Sequence, residues 1–129
     1  MTLLNCRIVG NASGGGNEPM GNGGGSAAGD GGGIYNAGSL QVAQTTISGN
    51  LTGAGSIGGD ALNDNAPGNG NSGGDGGGLF NLATAYLNQS AIFSNYCASG
   101  GASGQATGTD PAFANPGNGG TPARVSPMA

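Results

Sequence analysis

Leu40-Gln-Val-Ala-Gln-Thr-Thr-Ile-Ser-Gly-Asn50 has two altered copies in the same chain. Met1-Thr-Leu-Leu-Asn-Cys-Arg-Ile-Val-Gly-Asn11 lies 39 residues earlier, and Ala85-Tyr-Leu-Asn-Gln-Ser-Ala-Ile-Phe-Ser-Asn95 lies 45 residues later. The apolar positions agree: Leu3, Val42 and Leu87, then Ile8, Ile47 and Ile92. Each copy closes on an asparagine, Asn11, Asn50 or Asn95. A second motif, Gly31-Gly-Gly-Ile-Tyr-Asn36, returns 45 residues later as Gly76-Gly-Gly-Leu-Phe-Asn81. Recurrence at such intervals is the sequence signature of stacked repeats, in which neighbours bury a core that one repeat alone cannot.

Working outward from these copies, residues 31–36 and 76–81 end in an aliphatic, an aromatic and an asparagine, residues 40–43 alternate, and residues 45–48 run Thr, Thr, Ile, Ser. The period is 2, so these are short strands. No hairpin signal separates them and no helix is available for a crossover. Each strand is therefore expected to pair with its counterpart in the next repeat. The fold class read from this is all-β: a parallel β-helix, or solenoid, of about three incomplete coils with long Gly-rich corner loops. Its path is expected to be right-handed, as parallel crossovers nearly always are. The core becomes a set of columns: Ile34 with Leu79; Met1, Leu40 and Ala85; Leu3, Val42 and Leu87; Ile8, Ile47 and Ile92. Cys6, Thr45 and Ser90 share a column of small residues. Asn11, Asn50 and Asn95 stack as an amide ladder, as do Asn36 and Asn81, satisfying turn backbone and fixing register. Tyr35 and Phe80 stack on the outside, or on the inside if the parity of their strands is shifted by one residue. Residues 1–97 make the coils, with loops at 12–30 and 51–75. Residues 98–129 are a Gly/Pro-rich C-terminal segment that serves as cap or tail.

Of the 129 residues, 32 are glycine and only 6% are charged. The length suits one domain. Glycine without a strict third-residue period across the chain excludes collagen and favours flexibility, while the low charge argues against ordinary disorder. A largely disordered Gly-rich segment is the alternative. The net charge is −4, with no lysine or histidine, so nucleic acid is not a partner. No apolar run is long enough for a membrane span, and no signal peptide is visible. Met1 falls directly into the repeat register, so the chain is expected to be part of a longer polypeptide. The small number of large apolar residues implies that the core cannot order every residue, because each ordered backbone unit costs conformational entropy. The glycine loops are accordingly expected to be mobile.

The pairing of Gly31-Gly-Gly-Ile-Tyr-Asn36 with Thr46-Ile-Ser-Gly-Asn50 resembles the repeat of bacterial right-handed parallel β-helix proteins. These include autotransporter passengers and polymorphic outer-membrane proteins. The likeness covers residues 1–11, 31–50 and 76–95. Asp110-Pro-Ala-Phe-Ala-Asn-Pro116, with Ser126-Pro-Met-Ala129, is similar to segments that close such helices. The resemblance implies a secreted, cell-surface or outer-membrane location and an adhesive or scaffolding role. It departs from this chain in the long corner loops and in the lack of a third Gly-Gly-Gly-aliphatic-aromatic-Asn motif.

Little chemistry is visible. The acidic residues are Glu18, Asp30, Asp60, Asp64, Asp75 and Asp110. Asp30 and Asp75 occupy equivalent places before the glycine runs and would stack. With Asp60, Asp64 and Asn63 they are the candidate ligands for calcium, which takes several carboxylate and carbonyl oxygens. The competing reading is solvated turn aspartates and no cofactor. Gly73-Gly-Asp-Gly-Gly-Gly78 has glycine where a calcium-binding nonapeptide needs aspartate. The glycine runs lack the Lys-Ser/Thr of a phosphate loop. Glycoside hydrolysis needs two carboxylates across a cleft, and no strand face carries an acid; a non-catalytic role is expected. A remnant of a β-helical polysaccharide lyase or hydrolase is the alternative. Cys6 and Cys97 sit two coils apart, beyond disulfide reach, so free thiols are expected, with Cys6 a small buried group. Asn11-Ala-Ser13, Asn50-Leu-Thr52 and Asn88-Gln-Ser90 match the glycosylation pattern by chance in so Asn-rich a chain. The function expected is a structural or adhesive segment presenting its loops to a glycan or to a host or surface protein.

Overall fold

The computed structural model describes residues 1–62 and 67–107. Asn63, Asp64, Asp110, Arg124 and the proposed closing segment lie outside the described residues. Ten short strands follow in order: β1 (Thr2–Leu4), β2 (Arg7–Val9), β3 (Ile34–Asn36), β4 (Ser39–Ala43), β5 (Thr46–Ser48), β6 (Ala61–Leu62), β7 (Leu79–Asn81), β8 (Thr84–Asn88), β9 (Ala91–Phe93) and β10 (Ala106–Thr107). They form four sheets, ordered β1-β4-β8, β2-β5-β9, β3-β7 and β10-β6, and every strand pair is parallel. No described residue is helical. The described chain is thus all-β with parallel sheets, an arrangement compatible with a parallel β-helix.

The register is the one the copies imply. Leu3 faces Val42 and Val42 faces Leu87; Ile8 faces Ile47 and Ile47 faces Ile92; Ile34 faces Leu79. The two-residue alternation of strands explains β4: Leu40 and Val42 are buried while Ser39 and Gln41 face solvent. Ile34, Leu40, Val42, Ile47 and Leu79 form the core, flanked by half-buried Leu3, Ile8, Ala85, Leu87 and Ile92. Burial is greatest in the middle repeat because that repeat has a neighbour on both sides. Tyr35 and Phe80 stack on the outer face with ring centroids 5.4 Å apart.

Two placements differ from expectation. Met1 does not join the Leu40 and Ala85 column; it is 67% exposed. Its carbonyl accepts the Gln41 N–H and its ammonium donates to the Ser39 carbonyl at 2.6 Å. The charged terminus favours solvent over the apolar column. Cys6 is half-buried rather than enclosed, and its thiol donates to the Leu4 carbonyl. Neither cysteine is in a disulfide.

The turns repeat as faithfully as the strands. Asn5, Gln44 and Gln89, between the paired strands of each copy, all adopt positive φ near 50°. At the close of each copy Gly10, Gly49 and Ser94 do the same, with φ of 70°, 63° and 52°. The third copy therefore has serine where the geometry favours glycine, since a left-handed L-residue brings its Cβ against the following carbonyl. Ser94→Gly is expected to stabilise the fold by about 0.5–1 kcal/mol, the relief of strain exceeding glycine's added unfolded-state entropy. A denaturant midpoint that falls instead would contradict this account of the turn.

Candidate functional site: the glycine arms and their outward face

The sequence between strands makes arms that leave the strand stack and return to it. Outgoing arms run over 12–17, 51–60 and 97–105; returning arms run over 24–30 and 67–75. They are not loose loops. The Gly16 N–H donates to the Ala54 carbonyl, Gly55 to Ser99 and Gly58 to Ala102, at 2.8–3.0 Å, so outgoing arms lie parallel and in repeat register. Ala28 donates to Ser72, joining the returning arms. Gly68, Asn71 and Gly74 donate to Gly59, Ser56 and Gly53, tying the second returning arm antiparallel to its outgoing one. Ser56 donates across to Ser26 of the first returning arm, and Gly59 to Gly23 just before it.

The donors and acceptors advance in steps of three. Gly55, Gly58 and Ala61 donate toward one neighbour, Ser56 and Gly59 donate toward a second, and the carbonyls of Gly53, Ser56 and Gly59 accept from a third. A three-residue repeat is that of a polyproline II helix, which makes no internal hydrogen bonds and offers its backbone sideways. Here those sideways groups are taken up by adjacent arms, as buried backbone requires. This is why the arms are glycine-rich. A Cβ on Gly55 would lie against the Asn71 and Ser72 carbonyls, and one on Gly58 against the Gly68 carbonyl, in each case far inside contact distance. The stretches expected to be mobile loops are thus hydrogen-bonded arms, held by tight backbone packing and not by long apolar side chains.

Small polar side chains serve as inner pegs. Thr52 is fully buried; its hydroxyl donates to the Gly74 carbonyl and accepts from the Ala98 N–H. The Ser56 hydroxyl donates to the Ser26 carbonyl and accepts from Asn71 Nδ2. Among the described residues no buried side-chain nitrogen or oxygen lacks a partner. Cys97 Sγ accepts the Gly77 N–H at 3.2 Å, linking an outgoing arm to the strand stack. The sequence reading missed that bond, because nothing about a lone cysteine signals a backbone partner.

What points outward is every third residue. Ala54, Ile57 and Asp60 are exposed on one arm, and Ser99, Ala102 and Gln105 on the next, while the residues between them are buried or half-buried. The bonds between these arms set Ala54 beside Ser99, Ile57 beside Ala102 and Asp60 beside Gln105. On the returning arms Ala27 stands beside Ser72, with Asn69 exposed nearby. Glu18 is exposed on the first hairpin.

The amide ladder borders this layer. Asn11 donates from both its backbone N–H and its Nδ2 to Asn50 Oδ1 at 2.9 Å. Asn50 donates likewise to Asn95 Oδ1 at 3.0 and 2.9 Å. Asn50 Nδ2 also reaches the Ile8 carbonyl, and Asn95 Nδ2 the Ile47 carbonyl. The second ladder forms too: Asn36 Nδ2 donates to Asn81 Oδ1 at 2.6 Å. In the small-residue column, Cys6 N–H donates to Thr45 Oγ1 and Thr45 N–H to Ser90 Oγ, at 3.1 Å each.

Of the candidate calcium ligands, Asp30 and Asp75 are together. The Asp75 N–H donates to Asp30 Oδ1 at 2.8 Å. Asp60 is on the outgoing arm, where its Oδ1 accepts the Gln105 N–H at 2.8 Å; Asp64 lies outside the described residues. Among the described residues no three Asp, Glu, Cys or His side chains group closely enough to share a metal ion. The Asp30 carboxylate acts as a backbone acceptor, a role an amide oxygen also fills. Asp30→Asn is therefore expected to leave stability nearly unchanged, while Asp30→Ala costs about 1 kcal/mol by orphaning that N–H. Equal losses in thermal melts would point to the charge instead.

A shallow depression of about 190 Å³ lies over Gly77, Gly78, Ile92 and Asn95. It is the uncovered end of the core at the last repeat. No described helix is long and apolar enough to cross a membrane. No family model, no curated protein and no solved structure matches this chain.

Proposed function

We propose that this chain is a right-handed parallel β-helix segment of a secreted or cell-surface protein. It works as a non-catalytic scaffold that holds an outward face of the glycine arms against a polar partner, a glycan or another protein. The observation that carries this reading is the outward array on the arms. Side chains at Ala54, Ile57, Asp60, Ser99, Ala102 and Gln105 contribute little to the core, yet backbone bonds on both sides fix their positions. Preorganised positions bind without paying for loop ordering. The side chains themselves remain free to vary, as a recognition surface demands. Hydroxyl, amide and carboxylate groups at Ser72, Ser99, Gln105 and Asp60 suit the hydroxyl-rich surface of a glycan.

The test is adhesion to glycan-coated surfaces by the chain and by Ser72→Arg and Ser99→Arg, which place bulk on the outward face and leave the backbone bonds intact. Loss of adhesion with an unchanged melt is expected. Adhesion unaffected by both substitutions would sink the reading, and cleavage of an acidic glycan during the incubation would replace it with a catalytic one.

A further inference from the structure

We propose that Asn22 is a site of spontaneous covalent modification: it converts to isoaspartate in the folded chain and so releases the first glycine hairpin from the second. The proposal rests on the backbone bonds of the arms and is independent of what their outward face binds. Asparagine followed by glycine is the dipeptide most open to this change, because glycine has no Cβ to hinder attack through its own nitrogen. Such pairs stand at Asn22, Asn69 and Asn118; Asn118 lies outside the described residues. Asn22 and Asn69 have nearly the same neighbours, Gly21-Asn22-Gly23-Gly24 and Gly68-Asn69-Gly70-Asn71. In an unfolded chain they react alike, so any difference between them comes from the fold.

The fold treats them oppositely. The following glycine nitrogen must swing onto the asparagine Cγ, and a peptide held on both sides does so only after local opening. Asn69 is held on both sides. Gly68 N–H donates to the Gly59 carbonyl and Asn71 N–H to the Ser56 carbonyl, while the Gly68 and Asn71 carbonyls accept from Gly104 and Gly101, all at 2.8–3.0 Å. Asn22 is held only after it: the Gly23 carbonyl accepts the Gly59 N–H at 3.0 Å, in the bridge between Gly24 and Gly58. Among the described residues nothing accepts the Gly23 N–H, and residues 18–22 make no hydrogen bond. The hairpin is next fastened at Asn17, whose carbonyl accepts the Ser26 N–H at 3.1 Å. Asn22 and Gly23 are exposed, and Gly21 before them has a φ of 76°. The Asp30–Gly31 pair, which could react in the same way, is fastened too: Gly31 N–H donates to the Asp75 carbonyl at 2.8 Å, and Asp30 Oδ1 accepts the Asp75 N–H.

The step consumes only hydroxide and water. Hydroxide takes the Gly23 amide proton, and the nitrogen attacks Asn22 Cγ. The Cγ–Nδ2 bond breaks, ammonia leaves with a proton from water, and a succinimide ring closes. Water then opens the ring. Where the bond from the Asn22 main-chain carbonyl carbon to the Gly23 nitrogen breaks, the chain runs on through Cβ and Cγ. The product is isoaspartate, with a main chain one methylene longer and one new carboxylate. The added length falls directly before the Gly23 carbonyl, which sits in a tight seat. A Cβ on Gly59 would lie against the Gly21 carbonyl, and one on Gly68 against the Gly23 carbonyl, both far inside contact distance. Backbone fitted so closely does not absorb a methylene and keep the Gly59 bond.

The experiment incubates the full chain in neutral buffer, folded and in urea, and uses mass spectrometry with electron-transfer fragmentation to follow isoaspartate at each asparagine. In the folded chain Asn22 is expected to convert about tenfold or more faster than Asn69, and in urea the two rates converge. The rate at Asn22 rises with pH, as loss of the amide proton requires. Gly23→Ala, whose methyl group meets nothing nearer than the Met20 carbonyl at 4.0 Å, keeps the fold and slows the conversion about tenfold or more. In the converted chain hydrogen exchange shows Gly59 losing protection, while Gly58, which donates to Ala102 on the other side, keeps its own. Asn22→Asp supplies the charge without the methylene and leaves Gly59 protected. Equal rates at Asn22 and Asn69 in the folded chain, or a faster Asn69, would overturn the site. Conversion that leaves Gly59 protected, or the same loss in Asn22→Asp, would overturn the release.

Discussion

Asn50→Ala lowers stability by about 3 kcal/mol or more, a loss far larger than its apolar contacts would suggest. The side chain is 1% exposed and sits in the middle of the ladder. Its Oδ1 is the acceptor for two Asn11 donors, and its Nδ2 serves the Ile8 carbonyl and Asn95 Oδ1. Alanine leaves the Asn11 N–H and the Ile8 carbonyl unpaired, at roughly 1–3 kcal/mol for each buried group, and opens a void beside them. Asn11→Ala removes donors from an exposed end and costs about 1 kcal/mol or less. Asn95→Ala falls between, because it strips acceptors from Asn50 but lies at the last repeat. The order Asn50, Asn95, Asn11 in denaturant midpoints is the measurement. Equal losses at the three positions would mean that the amides act singly and not as a ladder. Asn50→Asp is a sharper probe: it keeps the shape and the acceptor but replaces the amide nitrogen, donor of both bonds, with an oxygen facing the Ile8 carbonyl and Asn95 Oδ1.

Gly55→Ala, a change of one methyl group, opens the glycine arms. The new Cβ would meet the Asn71 and Ser72 carbonyls, and backbone, unlike the tip of a long side chain, cannot swing away. Overpacking of this kind costs about 1–3 kcal/mol when neighbours can yield and more when they cannot. The preceding residue is the control: Ala54 is exposed, so Ala54→Ser leaves the arms intact. The damage is local, because a segment can open at no more than its own opening free energy. Hydrogen exchange is expected to show lost protection at Gly55, Gly58, Asn71 and Gly101, while Gln41, Gln44 and Thr46 in the strand stack keep theirs. Uniform loss across both regions would mean that arms and strands fold as one unit; no loss at all would return the arms to the status of loose loops.

The strand stack was legible in the sequence because side chains carry its pattern. Leu40, Val42 and Ile47 repeat their chemistry in two other copies, and a column of like residues needs no finer reading. The arms were not legible for the opposite reason. Their order resides in the backbone, and the sequence records it only as the absence of side chains. Gly53, Gly55, Ser56, Gly58 and Gly59 look like turn formers, and the three-residue rhythm survives only in where Ala54, Ile57 and Asp60 interrupt them. The acidic residues show the same limit. Asp30 and Asp75 stack as their equivalent positions implied, but Asp60, grouped with Asp64 by nearness in sequence, bonds to Gln105 on a neighbouring arm.

The asparagine ladder is spaced 39 residues at its first step and 45 at its second, a difference of six. On arms that turn once every three residues, six is one full turn out and one full turn back. A hairpin lengthened by that amount reaches about 9 Å further and returns to the stack with every inward glycine still inward and every outward side chain still outward. Any other increment would rotate one arm against its neighbours and drive a side chain into a carbonyl. Growth of the arms is therefore quantised: this fold can vary its reach in hexapeptide steps without disturbing the strands at its base.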